Sequence, residues 1–343
     1  MKESGDIASF AEIFDLLQSL PGPDVAAGEA ARARQEVLTK PSGALGRLEE
    51  LAIWAATWQA RATPVMERPF TAVFVGNHGV AARGVSAYPA EVTKQMLGNF
   101  IAGGAAVNQI CAMSDVDLRV YEMALDQGTE DFTAGPAMTE AECVKAMAYG
   151  MMAVDDGIDI LALGEMGIAN TTSAAALCHA LFGGAAEDWV GRGTGIDDHS
   201  LKNKVEVVAA AVELHGPEAT DPLDVLRRLG GLELAAIAGA VIAARMSRSP
   251  VLLDGYACTA AAAVLYAIDE KLLDHCQVAH RSTEPGHEKL LACLGKRALL
   301  DLDMRLGEAS GAALALPLVR AACLCHAGMA TFEEAGVSGP GGS

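Results

Sequence analysis

Short apolar runs at 73–76, 116–121, 158–163, 251–253 and 277–279 are separated by long helical stretches, and this alternation constrains the fold more than any other feature of the chain. Parallel strands need crossover connections, which are usually helices, so the pattern predicts an α/β fold: a parallel sheet covered on both faces. Four of the runs empty into polar loops: Asn77-His78-Gly79-Val80, Gly164-Glu165, Asp254-Gly255, and the segment 280–287 that opens on His280-Arg281-Ser282. Ligands of such sheets bind beyond the carboxyl ends of the strands, which is where these loops fall. Before residue 67 the spacing predicts helices over 7–20, 26–38 and 45–59, the first two separated by Pro21-Gly22-Pro23.

Composition narrows the function. With 343 residues, 51% of them hydrophobic, the chain can bury a substantial core, and 36 glycines with 5% aromatics favour helices packed closely on a sheet. A net charge of −19 repels nucleic-acid backbones and anionic membranes, so neither is an expected partner, and a phosphate-bearing ligand must be held by local groups. The apolar runs 234–244 and 255–268 are shorter than a bilayer span. The start, Met1-Lys2-Glu3-Ser4-Gly5-Asp6, lacks the pattern of a secretory signal, and cytoplasm is the expected compartment. The eight cysteines form no Cys-x-x-Cys pair and read as reduced core thiols; the glycine-rich tail 339–343 is the one low-complexity segment.

The segment 158–177 carries the clearest chemistry. An apolar strand runs into a glycine turn bearing Glu165, and a helix then opens on Asn170, Thr171, Thr172 and Ser173. Unpaired N–H groups and the partial positive charge of a helix N-terminus suit a phosphate, which places Glu165 beside whatever the phosphate is attached to. The loop Gly191-Arg192-Gly193-Thr194-Gly195-Ile196 is a second anion-binding candidate and also reads as a plain turn; Ile196 breaks the dinucleotide fingerprint. Lys204, or Lys202, can neutralise a phosphate as a mobile ammonium, the alternative being a solvated helix lysine. Gly84-Val85-Ser86-Ala87-Tyr88-Pro89, with Glu91, Thr93 and Gln95, suits a planar heterocycle or simply caps the helix that follows. His280, His287 and Cys323-Leu324-Cys325-His326 lack metal-ligand spacing, so no metal and no cofactor are expected. In Met329-Ala330-Thr331-Phe332-Glu333-Glu334, a carboxylate beside Phe and Met is expected to be partly desolvated with a raised pKa, unless the segment is an ordinary exposed helix.

Taken in order, these motifs resemble the nicotinate-nucleotide:dimethylbenzimidazole phosphoribosyltransferase family over nearly the whole chain. The likeness starts at Lys40-Pro41-Ser42-Gly43-Ala44-Leu45-Gly46-Arg47 and runs through the 77–80, 84–89, 164–173 and 191–198 segments, Arg228-Leu229-Gly230-Gly231 and 280–287. It ends at Arg305-Leu306-Gly307-Glu308 and Phe332-Glu333-Glu334-Ala335-Gly336. Asn77 and Ala169 depart from the family's usual Asp and Gly. The resemblance implies a Rossmann-like large domain over 67–315, a small helical domain from 1–66 and 316–343, and a homodimer. It implies transfer of phosphoribose from nicotinate mononucleotide to 5,6-dimethylbenzimidazole with inversion. Alternatives are another base acceptor (benzimidazole, adenine or a phenol), a non-catalytic nucleotide-binding homologue, or, less in keeping with the glycine pattern, a dinucleotide-dependent oxidoreductase. The resemblance makes Glu334 the general base and gives Glu165 the ribose. Gly167, Asn170, Thr171, Thr172, Ser173, Gly193, Thr194, Gly195 and Lys204 fall to the donor. Ser86, Tyr88, Gln95 and Phe332 fall to the benzimidazole.

Overall fold

The computed structural model describes residues 7–339; the N-terminal segment read for a secretory signal and the tail beyond Gly339 lie outside them. The strands are β1 (Pro69–Gly76), β2 (Asp117–Met123), β3 (Ile160–Met166), β4 (Val251–Leu253) and β5 (Cys276–Val278), all parallel, in the order β2-β1-β3-β4-β5. Every residue of β1 is buried, as a strand covered on both faces requires. Side chains alternate: Phe70, Ala72 and Phe74 enter one apolar cluster while Val73 and Val75 enter the other.

The first cluster is closed by α1 (Phe10–Gln18), α6 (Glu140–Met152), α7 (Asn170–Phe182), α9 (Pro222–Leu229), α10 (Leu232–Met246) and α11 (Tyr256–Ile268). The opposite face carries α3 (Arg47–Gln59), α5 (Ala106–Ser114) and α13 (Ser310–Gly328), with α2 (Val25–Val37) packed on α3. The terminal helices are thus divided between the two faces, and the expected boundary at 315/316 falls inside α13, one unbroken helix despite Pro317. The remaining helices are α4 (Glu91–Ile101), α8 (Asp198–His215), α12 (Pro285–Cys293) and the single turn α14 (Phe332–Ala335).

Among the described residues, two segments are long and apolar enough to cross a membrane, 91–114 and α13. The first is broken into α4 and α5 at Gly103 and Gly104, leaving pieces of 11 and 9 residues, each too short to span. α13 lies against the sheet instead, because Gly164 in β3 has no side chain: a Cβ there would collide with the backbone of Ala309. The start of α13 is thereby fixed at the carboxyl edge of the sheet.

Candidate active site

The chain leaves β1 towards β2 on one side and returns to β3 on the other, so the crevice above the carboxyl ends of β1 and β3 is the topological switch point of the sheet. A cavity of 740 Å³ opens there. Its walls come from the loop after β1 (Val85, Ser86, Tyr88), from α4 (Val92, Met96), and from the β3–α7 turn between Glu165 and Thr171. Gly193 and Thr194, the residues that follow β4 and β5, and the loop from Arg305 to Glu308 complete it. Glu165 differs from expectation in one respect: β3 runs on through Met166, so Glu165 is a strand residue paired with Phe74 rather than part of a turn. The extra pairing comes from β1, which itself extends to Gly76.

At one end lies the helix start. Asn170 and Thr171 line the cavity, while Thr172 and Ser173, each a further 100° round the helix, are fully buried and do not. Ser173 Oγ instead meets His78 Nδ1 at 3.0 Å, and His78 Nε2 meets Glu233 Oε1 at 2.5 Å. This buried chain holds α7 against α10 and the loop after β1. The turn before α7 is strained at Ala169, whose φ of +78° lies in the left-handed region that glycine adopts freely. Ala169→Gly is expected to be neutral or to stabilise the fold by up to about 1 kcal/mol, since relief of the left-handed strain opposes the extra chain entropy of glycine. A urea titration of both proteins checks this; a loss of stability above about 1 kcal/mol would contradict the strain argument.

Lys204 is neither mobile nor solvated, contrary to both sequence readings. Asp197 caps α8 by accepting from the Ser200 N–H, and one face of the helix then turns inward, carrying Lys204 to 1% exposure. Its ammonium donates to Thr171 Oγ1 at 2.7 Å and to the Gly191 carbonyl at 3.1 Å, immediately behind Gly193. Burial draws its pKa down to about 8, opposed by the charge of Glu284. The Gly193 N–H is already donated to Glu284 Oε1 at 2.8 Å, and Arg305 donates to the Gly193 carbonyl at 2.7 Å, so Arg305 is the cation that reaches the cavity wall. Gly195 lies outside the wall. Thr194 Oγ1 accepts from the Ala87 N–H at 2.9 Å and sits 3.0 Å from Ser86 Oγ, tying the two loops across the mouth.

The centre of the cavity is acidic. Glu165 is 8% exposed and its Oε2 accepts a close hydrogen bond from Asn170 Nδ2. Burial, reinforced by the charges of Asp254 and Glu233, holds its pKa well above the usual carboxylate range. Asp254 is raised by burial as well, opposed by His280, and Glu308 is pushed up to about 7 by burial and by Asp254. Asp254 and His280 were legible as parts of strand-end loops. Arg305 and Glu308 stood only within a motif of the resemblance and were given no role, since no strand precedes them and nothing in their spacing marks a chemistry.

The opposite end is apolar and open, lined by Val92, Met96, Met166 and Leu306, with Tyr88 55% exposed at the rim. Gln95 is on the exposed side of α4, next to this wall but outside it. Phe332 and Glu334 are not in it. α13 starts at the cavity, where the Ala312 N–H donates to Asp254, and ends where His326 meets the Ala62 carbonyl. Its 19 residues put those ends about 28 Å apart, and α14 follows the far one, anchored by the bridge of Thr331 to Leu38. Of the two sequence readings of Glu334 the exposed helix is the one found: the side chain is exposed rather than desolvated, and hydrogen bonds from the backbone and side chain of Thr331 hold its pKa below the usual value.

A helix start beside a buried carboxylate, facing an apolar wall, is the geometry of a site for a phosphorylated sugar and a flat ring. A family model described as phosphoribosyltransferase, with the label DBI_PRT, matches residues 20–337. This chain belongs to that phosphoribosyltransferase family. Relatives named nicotinate-nucleotide–dimethylbenzimidazole phosphoribosyltransferase include those of Brucella canis, 56% identical over 329 residues, and Brucella anthropi, 54% identical over 330. In both comparisons 96% of this chain and 97% of the relative are covered. Among solved structures, CobT from Thermus thermophilus superposes with a TM-score of 0.86 at 42% identity, covering 92% of this chain and 100% of that one. The parallel α/β sheet expected from the strand pattern, and the Rossmann-like form that the resemblance implied, is the fold that these phosphoribosyltransferases share.

Proposed function

We propose that this chain transfers the 5-phosphoribosyl group of nicotinate mononucleotide to 5,6-dimethylbenzimidazole, inverting the anomeric carbon and giving α-ribazole 5′-phosphate and nicotinate. The observation that carries the reading is the full-length likeness to relatives of that name, on a cavity with a phosphate-type end and an apolar end. The donor's nicotinate is a pyridinium and leaves with the electron pair of its bond to the sugar, so the donor is already activated. The acceptor's lone pair forms the new bond on the other face, and its N–H proton goes to a base. The protein's work is orientation, charge balance and removal of that proton.

In this proposal Gly167, Asn170 and Thr171 face the phosphoribose, Lys204 holds Thr171 from behind and Arg305 meets the phosphate at the rim. Asn170 orients Glu165 beneath the ribose. Ser86 and Tyr88, with the nearby Gln95, border the benzimidazole. Glu334 cannot reach the cavity of its own chain, so its role as base requires a second copy, whose α14 would bring Glu334 and Phe332 to the open apolar end. The surface supports such a partner: Tyr88 and Leu306 at the rim are more than half exposed, and the apolar α4–α5 segment, with Ile101 and Met113, is mostly uncovered. A homodimer working in the cytoplasm belongs to the same proposal. Met96 and Met166 on the apolar wall are pliable, which favours some tolerance of other flat bases.

The test is to incubate the protein with nicotinate mononucleotide and 5,6-dimethylbenzimidazole, with and without chelator, and to separate α-ribazole phosphate and nicotinate by chromatography. Equal product in both samples is expected. Binding of the donor without turnover would move the search to other acceptors, and failure to bind the donor would overturn the reading. Lys204→Ala is expected to raise the KM for the donor about tenfold or more through loss of a charged hydrogen-bonding group, with little effect on the dephosphorylated nucleoside. In the unaltered protein, donor affinity is expected to fall as pH rises past about 8, where the buried ammonium gives up its proton. Equal losses for nucleotide and nucleoside in Lys204→Ala would remove Lys204 from the phosphate end.

A further inference from the structure

We propose that Glu308 is a further catalytic residue of this site: together with Glu165 it faces the donor's ribose, and its carboxylate balances the positive charge that the sugar carries as its bond to nicotinate breaks. The proposal deepens the phosphoribosyl-transfer reading and rests on it.

Glu308 is only 5% exposed, yet it lines the cavity, and among the described residues no hydrogen bond or ion pair reaches its carboxyl group. The neighbouring buried acids are each held: Glu165 by Asn170, Glu233 by His78, and Asp254 Oδ1 by the Ala312 N–H. The oxygens of Glu308 open onto the cavity, so whatever fills the cavity, water or ligand, supplies their partner. The wall beside it is unsatisfied too, with Asp254 Oδ2 and both ring nitrogens of His280 lacking hydrogen bonds.

The backbone is constrained to place this side chain. Glu308 and Ala309 both have left-handed φ, +62° and +58°, in residues that disfavour it by roughly 1–2 kcal/mol each. Strain of that kind persists where the surroundings over-determine it. Here the Glu308 N–H donates to the Glu165 carbonyl at 3.0 Å, and a Cβ at Gly307 would come within 2.9 Å of Glu165 Oε1. The backbone of the Gly307–Glu308 turn is therefore clamped against Glu165 at the end of β3, and both side chains line the same cavity.

The titratable and charged groups that share the cavity wall with Glu308 are Glu165, His280, Glu284 and Arg305, with Asp254 behind it and Glu233 behind Glu165. Burial and Asp254 keep much of its population protonated in the empty site near neutral pH. A donor carrying a pyridinium and developing charge on the sugar favours the ionised form. As the carbon–nitrogen bond breaks, its electron pair leaves with nicotinate; the ionised Glu308 stabilises the electron-poor anomeric carbon, and the acceptor's lone pair then completes the new bond. Binding of the donor at pH 7 should accordingly release a proton.

The experiment compares the unaltered protein with Glu308→Gln and Glu308→Asp. Donor binding is measured by calorimetry at pH 7 in buffers of different ionisation enthalpy, and steady-state kinetics are measured from pH 5.5 to 8.5. Expected results are proton release on donor binding that disappears in Glu308→Gln, and a kcat lowered about 10²–10³-fold, the scale for loss of one preorganised electrostatic group. A rise in kcat/KM for the donor centred near pH 7 should be lost in Glu308→Gln and partly restored in Glu308→Asp. Turnover by Glu308→Gln at the rate and with the pH profile of the unaltered protein would overturn the proposal. If Glu308→Gln fails to fold, absence of both proton release and the ionisation near 7 in the unaltered protein overturns it equally. Failure of the unaltered protein to turn over nicotinate mononucleotide is a different outcome and counts against the functional reading.

Discussion

Glu334→Gln is expected to lower kcat by about 10²–10⁴ while leaving the binding of nicotinate mononucleotide nearly intact, as loss of a general base does. The exposed setting of Glu334 makes the prediction sharper. Thr331 holds its pKa low in the free chain, so the carboxylate is ionised at neutral pH, and only docking on another surface could desolvate it enough to become a stronger base. Because α14 lies at the far end of α13 from its own cavity, the defect should be repaired across chains. Mixing Glu334→Gln with Glu165→Gln under conditions that exchange subunits should recover roughly a quarter of the unaltered activity, since in a two-fold dimer half the population is mixed and one of its two sites is intact. No recovery, with exchange verified by a tagged subunit, would remove Glu334 from the neighbouring site.

Glu165→Gln should reduce kcat by about 10²–10³, the scale for removing one preorganised electrostatic group from a water-poor site. The side chain is nearly isosteric, and Asn170 can still hydrogen-bond to its carbonyl oxygen, so the loss reports the carboxyl's ability to ionise against the developing charge rather than its shape. The change should also alter the dependence of stability on pH. Glu165 is raised well above its ordinary pKa by burial, so the folded state keeps a proton that the unfolded chain releases above the ordinary value of 4.5. The unaltered fold therefore loses stability as pH rises from that value through the folded pKa. Glu165→Gln lacks this loss and should gain relative stability at pH 8 over pH 5. Urea denaturation at the two pH values measures it; a parallel pH dependence in both proteins would show that the carboxyl ionises in the folded state as readily as in the unfolded chain.

What was readable in the residues depended on how local the physics is. Alternating apolar strands and helices expose their periodicity in a few consecutive residues, so the parallel sheet, its polar carboxyl-end loops and the helix starting at Asn170 follow from the sequence. The end of β3 was less legible: Glu165 looked like a turn residue because its inclusion in the strand depends on how far β1 extends beside it. At the helix start the residue types suggested four equivalent phosphate ligands, but rotation along α7 turns Thr172 and Ser173 into the core and leaves Asn170 and Thr171 at the cavity.

The sequence by itself determined the α/β architecture, the loops that would face a ligand and the family, because strand and helix periodicity, turn chemistry and ordered motifs are properties of neighbouring residues. Tertiary structure alone decided the charges and distances. It buried Lys204 behind Thr171 and clamped Glu308 beside Glu165 across the end of β3. It also carried Glu334 the length of α13 away from the cavity of its own chain. Solvation and separation depend on what the rest of the chain brings alongside, and no window of sequence around those residues contains that.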